Sequence, residues 1–498
     1  MLGTSLLILY ILLTFSLTWY LNRKYLKEFK SFVLPGFFAI KFLVALFFLY
    51  VYTFYYGGGE LTADAGRFFQ ESKTLKAVFH QSPSDYFKFL FGFDNDPVFI
   101  NKYLASTDHW NAGSKVLLND SRNVIRVNSI LLFISSGQVV IHFLLFSLAS
   151  FLGGLDLYQF IKKRSKLPKG FLLVLMTLTP SIAFWSSSII KEPLMILGLC
   201  LVIRATFDNI SAKRKTWRYL LGGLLLVSFK PYVFICLLAS LLFYWIFSRI
   251  TKSQILNVFI YVTIGFGIIF FTGLLDKGVH LISKQQENFI NVRDGGLYLF
   301  EDDEHYLYIY YINRSHFKIE GNKATLLEPV GAFHMRIDNN FDRNPIRLTN
   351  VGKTYRIGVR MNKAGSGIPI TTINGNGATM IKMIPEVLFN TFIRPIPNKN
   401  SSWLQYSAFI ENVIILLGLI LAIFIFPRKL NSKENRMFFS LMIFSFMIYL
   451  IVGWTTPVVG AIVRYIVPGL LGIILIIALQ IKTIPKLDKY SRFMLKKR

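Results

Sequence analysis

Four cationic side chains and one carboxylate stand at the edges of long apolar runs, where their chemistry could be used together. The cations are Lys191, Lys230, Arg394 and Arg464, and the carboxylate is Asp64. Fixed cations stabilise phosphate charge, and the planar guanidinium of arginine matches two phosphate oxygens. A nearby carboxylate can accept the proton of an attacking hydroxyl. These residue types indicate an anionic, lipid-borne substrate and an attack by a sugar or alcohol hydroxyl.

Asp64 follows three glycines in the segment YYGGGELTADAGRFFQESKTLKAVF. Apolar residues then recur at near-helical spacing, at Phe68, Phe69, Leu75 and Val78. The segment predicts an amphipathic helix on the outer membrane surface, with Asp64 either as its N-cap or as a general base. Glu60 could assist Asp64 or simply be a solvated loop carboxylate.

The cations have structural interpretations as well. Lys191 could form a local ion pair with Glu192 at the tip of a helical hairpin, within WSSSIIKEP. Lys230 could snorkel toward lipid headgroups, and Arg464 could anchor the chain at the interface together with Tyr465. Four cations at one interface exceed what anchoring requires, so we favour the anion-binding interpretation.

The composition defines the class of protein that must position these residues. Of the 498 residues 53% are hydrophobic, 16% are aromatic, and long apolar runs recur from end to end. This composition predicts an all-α, polytopic transmembrane helix bundle. The first run, 2–21, is too long for a typical signal-peptide core and is interpreted as a retained span. Both cysteines, Cys200 and Cys236, lie inside apolar runs, so we expect no disulfide framework.

The net charge of +28 is concentrated in short connections between apolar runs. Six segments together contain 26 basic and 4 acidic residues, whereas the long segment 56–127 contains 8 of each. Such an asymmetry follows the positive-inside rule and predicts that the basic segments are cytoplasmic, so nucleic-acid binding is not needed to explain the charge. The six segments are 23–30, 156–169, 213–218, 249–254, 427–436 and 482–498.

Charge and hydropathy together predict about eleven membrane crossings, with the amino terminus outside and the carboxyl terminus in the cytoplasm. The run 219–229 is short, and it could join 232–248 in one kinked helix or form a hairpin with it around SFKPY. Basic segments on both sides favour the hairpin. The expected spans are 2–21, 33–55, 128–154, 170–187, 193–210, 219–229, 232–248, 255–275, 405–426, 437–453 and 464–481.

Three regions follow from this path. Residues 1–275 form a transmembrane bundle with the outer loop 56–127, and residues 405–498 form the last spans and a basic cytoplasmic tail. Between them, 276–404 is an extracytoplasmic segment that is partly β. The strand signals in it are HYLYIYYI, HFKIE, ATLLEP and TYRIGVRM, and MIPEVLFNTFIRPIPN is expected to return to the membrane as a helix.

Several chemistries lack their motifs. The chain contains no GxxxxGK[ST] and no HExxH, so ATP-driven transport and zinc proteolysis are not indicated. The seven histidines have no paired metal-ligand spacing. We therefore expect neither a metal site nor a diffusible cofactor.

The arrangement of the motifs resembles the bacterial GT-C glycosyltransferases. The likeness rests on the acidic outer loop GGGELTADAGRFF, on the cationic hairpin tips of the same face and on the terminal GAIVRYIVP, and it covers residues 33–275 and 405–481. Enzymes of this family take sugars from polyprenyl-phosphate or polyprenyl-diphosphate donors outside the cytoplasmic membrane. The resemblance implies a catalytic position for Asp64 and a donor-phosphate position for Arg464.

The expected function is therefore a glycosyltransferase of the cytoplasmic membrane that uses a polyprenyl-linked sugar donor and acts on a glycan or glycoconjugate acceptor. The large outer loop follows the second span rather than the first, which departs from the family pattern and implies one extra amino-terminal helix. The larger outer segment comes late in the chain, an arrangement that resembles O-antigen polymerases and ligases. A lipid-linked glycan transporter is a further alternative, for which we expect an ionisable residue near the bilayer midplane. A non-catalytic assembly factor would leave the outer cations scattered around the perimeter. The expected substrate-binding residues are Lys191, Glu192, Lys230, Arg394, Arg464 and Tyr465.

Overall fold

The apolar runs form helices in the computed structural model, which describes residues 2–93, 96–104, 106–110, 119–336, 344–360, 364–399, 401–482 and 494–495. In the first half of the chain the helices are α1 Leu2–Tyr25, α2 Val33–Tyr50, α3 Ala63–Gln81, α4 Pro83–Phe91, α5 Pro97–Leu104, α6 Asp120–Ser135, α7 Val139–Ile161, α8 Lys169–Thr177, α9 Pro180–Trp185 and α10 Glu192–Phe207. In the second half they are α11 Ala212–Phe229, α12 Pro231–Trp245, α13 Gln254–Phe271, α14 Leu274–Asp294, α15 Gly377–Lys382, α16 Ile384–Phe392, α17 Trp403–Ile420, α18 Ser432–Thr455, α19 Val459–Tyr465 and α20 Val467–Gln480. Most of the expected basic tail after residue 482 lies outside the described residues.

Seven of the described helices are long and apolar enough to cross a membrane, as expected of a multi-pass membrane protein. An eighth crossing is obtained if α19 and α20, which meet at a bend of 54°, form one broken span. The expected count of about eleven is not confirmed. The seven candidate spans are Gly3–Tyr25, Val33–Tyr55, Val139–Ile161, Pro231–Arg249, Gln254–Phe271, Trp403–Ile425 and Ser432–Thr455.

The expected span 128–154 is divided between two helices. α6 ends at Ser135 and α7 begins at Val139, because Ser136 and Gly137 take left-handed backbone conformations with φ of 48° and 78°. The candidate span of this region is therefore Val139–Ile161. The expectation placed its start eleven residues too early because it did not weigh the turn signal in SSGQ.

The hairpin expected around SFKPY is present as α11 and α12, which are separate helices that meet at Lys230. α11 begins at Ala212, so the basic residues of KRKTWR belong to its first turns and the helix is longer than the apolar run predicted. It packs so closely on α10 that a Cβ added at Gly198 would lie only 2.9 Å from the Gly222 carbonyl oxygen. Small residues allow this close approach of two membrane helices.

The basic connections lie together at one end of the bundle, which we call the basic end. Lys162 Nζ lies 3.2 Å from Glu28 Oε1, and the Arg428 guanidinium donates to the Arg164 carbonyl oxygen. The Arg436 guanidinium lies 5.9 Å from the ring of Tyr244, near the end of α12. These contacts bring basic segments that are far apart in the sequence to the same end of the bundle, as the charge pattern predicted.

The opposite end, which we call the pocket end, receives the loop before α3 and the segment after α13. That later segment contains α14 and a seven-stranded antiparallel sheet of order β3-β4-β7-β1-β2-β5-β6. Gln286 of α14 donates to the Trp454 carbonyl oxygen at 2.8 Å, which fastens the segment to the end of α18. The strands are β1 Leu297–Phe300, β2 His305–Ile309, β3 Phe317–Glu320, β4 Lys323–Leu326, β5 Val330–Arg336, β6 Asn344–Leu348 and β7 Thr354–Arg360.

The four sequence segments with strand signals correspond to β2, β3, β4 and β7, and α16 is the helix expected in MIPEVLFNTF. β1, β5 and β6 were not anticipated. One sheet face packs aliphatic side chains such as Leu299 and Leu307, which are fully buried, and the alternating residues carry aromatic rings. The alternation fixes the register of this small β unit.

Candidate functional site

Arg464, in the last turn of α19, is the centre of an ion cluster at the pocket end. Its Nε and Nη2 donate to the two carboxylate oxygens of Glu192 at 2.7 and 3.1 Å. Its Nη1 donates to Asp64 Oδ2 at 2.6 Å. One guanidinium therefore joins two carboxylates that lie 128 positions apart, which follows from their residue numbers.

Two lysines complete the cluster. Lys230 Nζ lies 3.3 Å from Glu192 Oε1 and 4.5 Å from the centre of the Tyr465 ring. Lys191 Nζ lies 2.8 Å from Asp120 Oδ1 at the start of α6. The cluster therefore holds three cations and three carboxylates, and its charges are balanced.

Three local sequence features bring these side chains to one level. Pro193 follows Glu192 in the first turn of α10, and Pro231 follows Lys230 at the start of α12, where a proline suits the first helical position. Arg464 stands just before the bend between α19 and α20. Each charged residue is thus placed where a helix begins, ends or bends.

These contacts overturn the structural interpretations of four residues. Lys191 and Glu192 do not form a local ion pair, because each has a partner on another helix. Glu192 is fully buried, so the KEP triplet is not a water-exposed hairpin tip. The side chains of Lys230 and Arg464 are only 7% and 12% exposed, which rules out a snorkelling lysine and an interfacial anchor.

Asp64 is not the N-cap of α3. The N-cap is Thr62, Ala63 is the first helical residue, and the Asp64 carboxylate points to Arg464. Ala63 has a φ of 55°, a left-handed conformation that is uncommon for a residue other than glycine. Such strained residues concentrate at functional sites, where the surrounding structure holds them.

α3 is also not a helix lying on the membrane surface with its apolar side in lipid. Its expected apolar side chains, Phe68, Phe69, Leu75 and Val78, are all buried in the protein. α3 packs against α6, whose own length was not anticipated. The amphipathic pattern was correct, but it is satisfied by another helix of the same chain.

The pKa of the Asp64 carboxyl lies below its ordinary value. Burial by itself raises this pKa, but the positive charge of Arg464 and its hydrogen bond outweigh burial, and Lys191 and Lys230 add to the effect. Asp64 is therefore a carboxylate at neutral pH. It is a weak proton acceptor as long as Arg464 is its partner.

Arg394 does not join the cluster through any contact among the described residues. Its guanidinium lies 5.6 Å from the Phe389 ring, and its backbone carbonyl accepts a hydrogen bond from Asn412 at 2.7 Å. Of the expected binding residues, the structure brings the other five together with Asp64. Arg394 was expected there because it precedes a span, but its described contacts are with Phe389 of α16 and Asn412 of α17.

A polar cavity of about 750 Å³ opens beside the cluster. Asp64, Arg464 and Tyr465 line it, together with polar groups such as Gln70 and Asp108. Among these lining groups, Glu71 is 6% exposed and accepts a hydrogen bond from His109 Nδ1 at 2.7 Å. The cavity thus offers the Asp64–Arg464 pair, a second ion pair between Arg67 and Asp108 at 3.5 Å, and neutral polar groups such as Gln70 and Ser106.

An apolar groove of about 400 Å³ adjoins the polar cavity. It runs between α2, α9, α17 and α19, with Phe47, Trp403 and Val463 in its walls. The chain after α2 forms a π-helical turn over Val51–Tyr55, a feature that often marks functional sites. Five residues line both spaces: Tyr52, Tyr56, Trp185, Ser366 and Gly460.

Sequence reasoning overlooked two ionisable residues inside candidate spans. Lys41 of α2 is 1% exposed, and its Nζ lies 2.7 Å from Ser186 Oγ and 3.2 Å from the Ala183 carbonyl oxygen. Glu411 of α17 is 8% exposed, lines the groove and accepts hydrogen bonds from the Ser181 backbone and hydroxyl. Each stands alone in a long apolar run, which was the signal that could have identified it.

The two residues hold the ends of the short helix α9. Glu411 accepts from the Ser181 amide near the start of this helix, and Lys41 donates to a carbonyl near its end. Helix ends inside a membrane need such partners because lipid cannot satisfy their backbone groups. Lys41 and Glu411 therefore have a structural role in positioning Trp185, the last residue of α9 and a wall of both spaces.

Within the described ranges, no group of three or more histidine, cysteine, aspartate or glutamate side chains could hold a metal ion. No known protein family, no curated protein and no solved structure matches the chain. Any functional conclusion therefore depends on the geometry of the cluster, the polar cavity and the groove.

Proposed function

We propose that the chain is a glycosyltransferase of the cytoplasmic membrane. It takes a sugar from a polyprenyl-phosphate-linked donor and transfers it to a cell-surface glycan or glycoconjugate. The observation that carries the proposal is the junction between the polar cavity and the apolar groove. A donor with an anionic head and a long apolar tail suits such a pair of spaces, because its tail would avoid water while its head remains solvated. Five residues line both spaces, so one ligand can occupy the two together.

In the proposed reaction the acceptor hydroxyl oxygen forms a bond to the anomeric carbon as the bond from that carbon to the donor phosphate oxygen breaks. The hydroxyl proton passes to the Asp64 carboxylate, and the polyprenyl phosphate leaves with the bonding electrons. Arg464 is a fixed cation that lines the cavity, and Lys230 lies 4.5 Å from the centre of the Tyr465 ring, which also lines it. Both would stabilise the negative charge that develops on the phosphate. Glu192 holds both of these cations, which makes it a positioning residue.

The acceptor would lie in the same polar cavity, beside lining groups that do not belong to the cluster. Gln70, Ser106 and the Arg67–Asp108 pair offer both donors and acceptors of hydrogen bonds. Polar groups of this kind recognise hydroxyls, and removing one from a hydroxyl-binding site lowers discrimination strongly. These groups support a sugar acceptor better than an apolar one.

We further propose that the chain crosses the membrane eleven times, with the pocket end outside and the basic end in the cytoplasm. Four crossings would then use helices outside the seven candidate spans: α8 with α9, α10, α11, and α19 with α20. α10 has 16 residues and a length of about 24 Å at 1.5 Å per residue, less than a hydrocarbon core of about 30 Å. The cluster would therefore lie slightly inside the outer boundary of the membrane.

Cysteine-accessibility reporters test this orientation. Reporters at Glu60 and Asn350 should be external and those at Lys163 and Lys215 internal, and an internal Glu60 would overturn the orientation.

Gly460 offers a direct test of the junction between the two spaces. A Cβ added at Gly460 would meet only Ser366 Oγ, at 3.9 Å, so Gly460→Ala should be tolerated whereas Gly460→Leu should fill the junction. Transfer would be measured with purified protein, a panel of polyprenyl-phosphate sugars and a glycan acceptor. We expect Gly460→Leu to reduce kcat/KM for a long-chain donor at least tenfold, and Gly460→Ala to remain close to the parent. Absence of transfer by the parent from every donor in the panel would overturn the proposed function.

A second candidate function is favoured by Lys41 and Glu411, two ionisable residues that lie well inside candidate spans. Lys41 and Glu411 each lie eight residues from one end of their spans, about 12 Å at 1.5 Å per residue. Ionisable residues at such depth are expected of a transporter, here of a lipid-linked glycan moved without chemistry. Reconstituted vesicles containing a fluorescent lipid-linked sugar distinguish the two functions, since only a transporter changes the fraction that an external quencher reaches.

An O-antigen polymerase or ligase would use the same class of lipid-linked substrate with different catalytic residues. Transfer of a preassembled chain, rather than one sugar, would be its product. Full activity of an Asp64→Asn variant would favour this function and move the chemistry toward the segment 276–404.

A further inference from the structure

The cluster at the pocket end has no spare positive charge. Lys191, Lys230 and Arg464 are each within 3.3 Å of a carboxylate oxygen, and the carboxylates number three. A phosphate that approached this cluster would therefore meet negative charges as well as positive ones. The described cations that line the polar cavity are Arg67, which pairs with Asp108, and Arg464, which pairs with Asp64 and Glu192. A phosphate can therefore gain a direct contact with Arg464 if it takes the place of a carboxylate.

The two carboxylates on Arg464 are held very differently. Glu192 has a side chain that is 1% exposed and accepts two hydrogen bonds from Arg464, with Lys230 beside it. Asp64 has a side chain that is 45% exposed, lines the polar cavity and has one hydrogen bond to Arg464. Ion pairs open to solvent are weak, whereas removing one partner of a buried pair is strongly destabilising. Asp64 is the partner that an incoming anion can replace.

The geometry of the guanidinium agrees with this difference. Glu192 engages Nε and Nη2 and so fixes the plane of the group, while Nη1 is directed to Asp64 beside the cavity. If Asp64 leaves, Arg464 remains oriented and presents one edge to the cavity. The guanidinium would then donate to a phosphate oxygen without having to turn.

We propose that Asp64 and the phosphate of the lipid-linked donor compete for Arg464, so that donor binding releases the Asp64 carboxylate to accept the acceptor's proton. This inference rests on the proposed function. It implies an order of events in which the donor binds first and the base becomes effective only afterwards. Premature activation of a water molecule by Asp64 is disfavoured in the absence of donor, because its partner is then Arg464.

Calorimetric binding of farnesyl phosphate to the full-length protein in detergent tests the competition, with farnesol as the probe that lacks the phosphate. Asp64→Asn removes the competing charge, so we expect it to bind farnesyl phosphate about tenfold more tightly than the parent and farnesol equally. Asp64→Ala also removes the hydrogen-bond acceptor and should bind at least as tightly as Asp64→Asn. Glu60→Gln is the matched control, since it removes the same charge from the same loop and Glu60 is exposed outside the lining of the polar cavity. It should leave the affinity within about twofold of the parent.

The outcomes separate this inference from the proposed function. Affinity that is unchanged or weaker in both Asp64 variants, while the parent still prefers farnesyl phosphate to farnesol, overturns the competition and leaves the proposed function in place. Equal affinity of the parent for farnesyl phosphate and farnesol overturns the phosphate site and both proposals with it. Tightening in Glu60→Gln equal to that in Asp64→Asn would assign the effect to net charge and would also overturn the competition. A merely structural Asp64 would not produce tighter binding in either substitution.

Discussion

The two ends of the bundle each contain an ion cluster, and the clusters differ in their balance of charge. At the basic end, Asp156 of α7 lies between Arg204 and Arg218, while Asp208 pairs with Arg204 and Arg164, so two carboxylates face three guanidinium groups. At the pocket end, Arg464 lies between Asp64 and Glu192. With Lys191, Lys230 and Asp120, this second cluster has three cations and three carboxylates.

The clusters differ also in what surrounds them. Asp156 is 16% exposed, connects three neighbouring helices, and lines neither the polar cavity nor the apolar groove. Asp64 and Arg464 both line the polar cavity. An ion pair enclosed by helices can only hold them together, whereas a pair with one partner beside open space can exchange that partner. The comparison therefore separates a cluster that stabilises the bundle from one that can take part in binding.

The largest effect is expected from Asp64→Asn. Loss of a general base typically lowers the rate about 10²- to 10⁴-fold. Asp64 lies inside the first turn of α3 rather than at its N-cap position, which is Thr62, so the helix should still begin normally. Transfer from the lipid-linked donor should be compared at equal amounts of folded protein. Asp156→Asn is the control at the basic end and should retain the parental rate per folded molecule. Equal losses in both variants would remove the distinction between the two clusters.

Glu192→Gln should have the largest effect on stability. It leaves Lys230 without its carboxylate partner and Arg464 with only the half-exposed Asp64, and breaking a buried ion pair costs about 3–5 kcal/mol. Chemical unfolding of purified protein in detergent should therefore show a greater loss of unfolding free energy for Glu192→Gln than for Asp64→Asn. The reverse order would mean that Asp64, not Glu192, is the structural partner of Arg464.

The contribution of the Asp64–Arg464 pair should depend on pH. The folded-state pKa of Asp64 is lowered, so its stabilising contribution is present above the unfolded value of about 3.9 and is lost as pH falls through the folded pKa. Because the Asp64 side chain is 45% exposed, the contribution at neutral pH should be at most about 1 kcal/mol. The difference in melting temperature between the parent and Asp64→Asn should shrink toward zero as the pH is lowered below this range. A difference that grows in acid would contradict the lowered pKa.

The smallest effect is expected from Arg394→Gln. Arg394 was a predicted phosphate ligand, but its described contacts are with Phe389 and Asn412 rather than with the cluster. Affinity for farnesyl phosphate should therefore change less than about twofold, whereas Arg464→Gln should abolish the preference over farnesol. If Arg394→Gln reduced the preference for farnesyl phosphate over farnesol as much as Arg464→Gln, Arg394 would again be a candidate phosphate ligand.

The sequence allowed most of the charged cluster to be predicted, since five of its members were selected from their places at the ends of apolar runs. It did not allow their pairing to be predicted. Lys191 precedes Glu192 in the chain, yet its partner is Asp120, because the start of α10 directs the two side chains to different helices. The cations alone suggested a phosphate site. The structure adds the carboxylates that compensate their positive charge.

Composition and charge alone determined that this is a membrane protein of several apolar helices with its basic connections gathered together. These features depend on the transfer of side chains from water to hydrocarbon, which is a property of each residue type and needs no knowledge of neighbours. Four of the seven described strands, β2, β3, β4 and β7, could also be predicted, since alternation is a local pattern.

Only the tertiary structure decided which charges meet, that α3 is covered by α6, and that a polar cavity and an apolar groove share a wall. It also revealed Lys41 and Glu411, whose partners lie on α9 and could not be inferred from the spans that contain them. An ion pair depends on distances of a few ångströms between residues hundreds of positions apart, and such distances are set by helix packing rather than by local sequence. The residue types at the pocket end could therefore be identified from the sequence, whereas the balance of their charges could be determined only from the tertiary structure.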